Sequence, residues 1–167
     1  MIYDAVERVH AILEANFATD MAALLTAKSL TTGYVSTVTV VKRRTAIHEA
    51  ARGDVNLATG PRIGVWSGAA VTQAKIQDGR DSIVMVTMEY VARGSDEDIL
   101  AIQSEVAAEA IMMSVDVMHG VNAAIGAGLP IGETTVEIMR SSHASGQDYA
   151  QDIVTVVTPI VSRDIGL

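Results

Sequence analysis

The 167 residues fit one ordinary domain, able to bury about two thirds of the surface its unfolded chain would expose. Cysteine is absent, which excludes disulfides, thiolate catalysis and cysteine-rich zinc sites, and a formal net charge of −8 argues against sequence-independent binding to phosphate backbones. Apolar residues make up 49% of the chain, chiefly Ala, Val, Ile and Met around a single Trp66 and a single Phe17, so part of that surface is expected to be covered by neighbouring subunits.

From the N-terminus, Val6, Val9, Leu13 and Phe17 recur at helical spacing between Asp4, Glu7, Arg8 and Glu14, and predict an amphipathic helix over about Ile2 to Ala27, with a kink or split near Asn16 to Asp20. The same charges interrupt any apolar run long enough for a signal peptide or membrane span, so the chain is expected in the cytoplasm. After Thr31-Thr32-Gly33, the run Tyr34 to Val41 is dense in Val and Thr and suits a strand. Lys42 to Gly60 is polar, and its length suggests a functional or partner-ordered loop. Lys42-Arg43-Arg44 is the only basic run, which makes Arg43 and Arg44 candidates for partner or DNA contact.

Arg62 to Ser67 reads as a short strand behind Gly60-Pro61, and Gly68 to Ser82 as a long hairpin arm turning at Asp78-Gly79. In that arm Val71, Ala74 and Ile76 alternate with polar residues and are candidates for contact with a neighbour. Ile83 to Val91 is the strongest strand pattern. It leads into Ser95-Asp96-Glu97-Asp98, where Ser95 is the expected N-cap of a helix running to about His119. That helix is expected to pack on the sheet through Ile99, Ile102, Val106 and Met113. Its second half is apolar on more than one face, which adds Met112 and Met118 to the candidate subunit contacts. Gly120 to Gly132 reads as a loop, Thr134 to Arg140 as a strand, and Ile153 to Val161 as a last strand in which Pro159 argues for a sheet edge. The elements add up to a single α+β domain over residues 1–167.

No catalytic, metal or cofactor site emerges from the residues. His10, His48, His119 and His143 lie on different elements without the paired spacing of a metal-binding helix. Gly64 to Gly68 spells G-V-W-S-G, whose serine stands one position late for a nucleophile elbow and which leads into a hairpin rather than a helix. Asp96, Glu97, Asp98, Glu105 and Glu109 are explained by capping and by a solvated helix face. No phosphate-binding glycine string occurs.

The order of elements resembles the tail-terminator and head-to-tail completion proteins of long-tailed bacteriophages. The resemblance rests on the helix Ile2 to Leu25, the Gly60-Pro61-Arg62-Ile63-Gly64-Val65-Trp66 strand, the Ile83 to Val91 strand entering the capped helix, and the closing strand Ile153 to Val161. It implies a small, mostly antiparallel sheet of about four strands flanked by two helices. It also implies a homo-oligomeric ring seated on the tail tube, facing the head connector, with DNA passing through the channel without specific binding. Such a protein is a structural component of the virion, assembled in the host cytoplasm, with no enzymatic activity and no membrane contact. The alternatives are another head-to-tail joint protein, of the head-closure or adaptor kind, and a small-molecule-binding or enzymatic α+β domain.

Overall fold

The computed structural model describes residues 2–42, 60–76, 79–115, 134–141 and 149–164. In chain order these form α1 (Ile2–Ala27), β1 (Thr39–Lys42), β2 (Arg62–Ile76), β3 (Gly79–Gly94), α2 (Glu97–Val115), β4 (Thr135–Ser141) and β5 (Ala150–Asp164). The strands make one five-stranded mixed sheet in the order β1-β2-β3-β5-β4. Among the described strands only the β1–β2 pairing is parallel. The fold is therefore α+β as expected, with one strand more than expected.

The buried residues of α1 explain how it lies on the sheet. Ala5, Val9, Leu13, Phe17, Met21 and Leu25 follow one another at intervals of four. A helix turns about 100° per residue, so each such step drifts about 40° and the apolar stripe winds around the helix. The first half consequently meets the β1 side, where Glu7 pairs with Lys42 at 2.7 Å and His10 Nε2 lies 3.3 Å from the Val40 carbonyl. The second half meets α2, where Ser114 donates to buried Asp20 at 2.7 Å and Lys28 pairs with Glu109 at 3.0 Å. Helix α1 spans the expected Ile2–Ala27 and runs without the split that was allowed for near Asn16 to Asp20. It ends with Leu30 N–H bonded to the Leu25 carbonyl and Ser29 at φ 58°, a left-handed cap that glycine usually fills.

Alternation along β3 and β5 builds the rest of the core. Val84, Val86, Met88, Tyr90 and Ala92 face the helices beside Ile160, Thr158, Val156, Val154 and Asp152, with Ile63 and Val65 of β2 on the other flank. Tyr90 and Phe17 meet with ring centroids 6.2 Å apart. On α2 the buried face runs through Leu100, Gln103, Ser104, Ala107, Ala108, Ala110, Ile111 and Ser114. This corrects the expected face: Val106 is buried, but Ile102 is 37% exposed and Ile99 and Met113 are only partly covered. The small Ala and Ser side chains let α2 approach both the sheet and α1, and the larger Ile102 and Met112 turn outward.

Three further expectations are corrected by pairing. Tyr34 to Val38 is not strand, because pairing with β2 begins at Thr39. Parallel neighbours need a long return connection, so the topology itself accounts for the length of chain between β1 and β2. The short strand and hairpin arm are one long strand each side of the turn, with β2 and β3 paired from Arg62↔Val91 to Ile76↔Gly79. Finally, β5 is an interior strand rather than an edge. Its ladder with β4 stops at Thr135↔Val157, however, so Pro159 occupies a stretch with β3 on one side and no described strand on the other.

Candidate interaction surface

The hairpin end is the first candidate. Between Ser67↔Val86 and Val71↔Val84 strand β2 advances four residues while β3 advances two, so Gly68, Ala69 and Ala70 contain a two-residue bulge. An even insertion preserves the alternation of faces. By register, Val71 pairs with Val84, Ala74 with Asp81 and Ile76 with Gly79. The arm does not leave the sheet as a two-stranded flap, because β5 continues beside β3 as far as Arg80↔Asp164.

The second candidate lies around α2 and β4. Met112 is 37% exposed, on the same outer face as Ile102, with Glu105 and Glu109 between them. Those two carboxylates reach Arg140 of β4 and Lys28 respectively. Among the described strands β4 is a lateral one, and its Val136 and Met139 are 40% and 43% exposed. Sequence reasoning recognised this strand but gave no sign of its edge position, which depends on β5 inserting between β3 and β4. Arg43, Arg44 and Met118, the remaining candidates, lie outside the described residues.

Two cavities adjoin these surfaces. One, of about 290 Å³, is walled by Gly33, Val35, Pro61, Arg93, Ile99 and Gln103. Its polar groups are engaged in holding the fold. Gln103 accepts from Val35 N–H at 2.9 Å and donates to the Val35 carbonyl at 2.6 Å and to the Tyr90 hydroxyl at 3.0 Å, so its amide acts as a one-residue strand partner. Burial pushes the Tyr90 hydroxyl up to about 12, which the Gln103 bond opposes and Asp152 reinforces. Arg93 donates to Gln151 at 2.9 Å and lies over the Tyr149 ring, and Asp96 caps α2. Gly33 lies at φ 86°, where an L side chain is strained, and a Cβ there would also stand 3.1 Å from Ile99 Cδ1, close enough that Ile99 would have to shift.

The other cavity, about 360 Å³, is an acidic notch between the start of α2 and the β4 edge, lined by Glu97, Asp98, Leu100, Arg140 and Asp152. Asp152 is 3% exposed, and its Oδ2 has no hydrogen-bond partner among the described residues, the nearest cation being Arg140 Nε at 3.7 Å. Burial raises the Asp152 carboxyl above its usual range; Ser104 and Arg140 pull it back and Glu105 and Glu97 add to the rise.

Among the described residues no group of three or more His, Asp or Glu side chains could hold a metal, and no helix is long and apolar enough to cross a membrane. His48, His119 and His143 lie outside the described residues, and Ser67 of the G-V-W-S-G string continues β2 as strand. No protein-family model matches the sequence, and no curated protein is significantly similar to it.

Proposed function

We propose that the chain is a structural virion assembly protein of the tail-terminator or neck type, a protomer whose copies form a ring between the tail tube and the head connector. The observation that carries this reading is the sheet's boundary. Among the described residues both helices pack on one face, which leaves β1 and β4 as the two lateral strands on opposite sides of the sheet, and one end extends into a long hairpin. A protomer with two different open sides suits head-to-tail association, which closes into rings when the rotation closes. The polar groups of the 290 Å³ cavity near Gln103 are spent on internal bonds, which favours interaction surfaces over catalysis. In this reading DNA passes through the channel without specific binding, and the protein works in the host cytoplasm and then in the virion.

The test is the mass of the purified chain in solution together with negative-stain images. Rings are expected, and shortening the β2–β3 hairpin at its tip should impair assembly while leaving the protomer folded. A chain that stays monomeric alone and in the presence of tail tubes would overturn the reading. The rival class, a small-molecule-binding domain, would use the 290 Å³ cavity and would be favoured by a ligand that raises the melting temperature and is lost on substituting Gln103.

A further inference from the structure

The segment that joins α1 to β1 is hydrogen-bonded to the rest of the molecule at one point. Leu30 closes α1 by donating to the Leu25 carbonyl, and Thr39 opens β1 by donating to the Pro61 carbonyl at 3.2 Å. Between them residues 31–38 run without helix or strand. Among the described residues their hydrogen bonds are those of Val35, whose N–H and carbonyl both meet the Gln103 amide, at 2.9 and 2.6 Å. Side chains supply the remaining hold. Tyr34, Ser36 and Val38 are half-buried, Tyr34 and Val38 against the core, whereas Val35 and Thr37 between them are exposed.

The group that grips this segment is itself firmly placed. Gln103 is 5% exposed on the buried face of α2, and its amide nitrogen also donates to the buried Tyr90 hydroxyl at 3.0 Å. Gly33 and Val35 belong to the wall of the 290 Å³ cavity, together with Ala92 of β3 and Ile99 and Leu100 of α2. Gly33, in the left-handed region, supplies a turn near one end of the segment.

We propose that residues 31–38 form a strap that opens and closes over this cavity as one unit, with Gln103 as its latch. Opening exchanges two amide bonds for bonds to water and releases the half-buried Tyr34 and Val38. The net loss is small beside that of unfolding the domain, so the strap opens locally while the core stays closed. The other cavity walls remain in place, because β3 is held by β2 and β5 and the bond from Gln103 to Tyr90 does not involve the strap. The latch is thus left in position for reclosing. One side chain thereby decides whether the cavity is walled or open on its α1–β1 side, and the device is independent of the ring reading, since no second copy takes part.

Limited proteolysis tests the proposal, because at low protease the rate of cutting follows the population of the released segment. Gln103→Leu removes both bonds from the latch at nearly constant volume, and Val35→Pro removes the N–H bond from the strap side, at an exposed side chain. Thermolysin cleavage within residues 31–38, mapped by mass spectrometry, should be slow in the parent. It should be faster in Gln103→Leu on the order of tenfold or more, with a smaller rise in Val35→Pro, while α1 and β3 stay uncut. Circular dichroism establishes that each variant is folded, and Val35→Pro alone serves if Gln103→Leu is not. A parent strap cut as fast as an unfolded chain, equal rates in parent and variants, or cuts in α1 and β3 that keep pace with those in the strap would overturn the latch.

Discussion

Single side chains decide how this fold tolerates polar groups in its interior. Gln103 replaces a missing strand partner for Val35, and Asp20 is buried against Ser114, so each polar group has a named counterpart. Asp152 differs, since its buried Oδ2, like the Ser104 Oγ, has no hydrogen-bond partner among the described residues, and its raised pKa has a consequence for stability. A carboxyl whose pKa is higher in the folded than in the unfolded state contributes most to stability when protonated, below about 3.9. That contribution is lost as pH rises through the folded value. Asp152→Asn keeps the shape and does not titrate, so its stability relative to the parent should be lowest in acid and should improve toward neutral pH. Urea midpoints of both chains across that range measure this; a difference that is flat, or that falls with pH, would show that Arg140 and Ser104 outweigh burial.

At the scale of elements, patterns confined to one segment were legible and those set by partners were not. The winding stripe of α1 and the alternation of Ile83 to Val91 could be read directly, because burial on one side imposes a period on the segment itself. The cap of α2 was read one residue early. Asp96 Oδ1, not Ser95, accepts from the N–H groups of Asp98 and Ile99, at 3.0 and 3.1 Å, and the Asp96 carbonyl accepts the first helical bond, from Leu100. A carboxylate is the stronger acceptor at the positive end of a helix, and Gly94-Ser95 supplies the bend that turns β3 into it. Asp96→Ala should therefore cost about 1 kcal/mol in denaturant unfolding, and Ser95→Ala only a few tenths. Equal losses would contradict the assignment. The outward turn of Ile102 and Met112 was hidden for a related reason: the five buried Ala and Ser residues on α2 look weakly hydrophobic, yet their small size is what admits close packing.

For the whole molecule, strand order was the information that sequence could not carry. Nothing local in Ala150 to Asp164 tells that it enters between β3 and β4, and Pro159 pointed the other way. The candidate surface suffered most, because the notch at Asp152 exists only once β5 lies beside β3 with α2 packed against it. Pro159 nevertheless has a role that its interior strand obscures. Beyond the Thr134–Thr158 side-chain bond of 2.8 Å, β5 outruns β4, so among the described residues its outer flank has no strand partner and would be a short template for a stray strand whenever it is uncovered. A residue without an N–H interrupts that template, as gatekeeper residues do beside apolar strands. Pro159→Val should leave the melting temperature within a few degrees but raise light scattering as concentration or incubation time increases. Equal scattering from the two proteins would remove that protective role, and a rise would identify this proline as the residue that keeps an assembling protein from assembling in the wrong way.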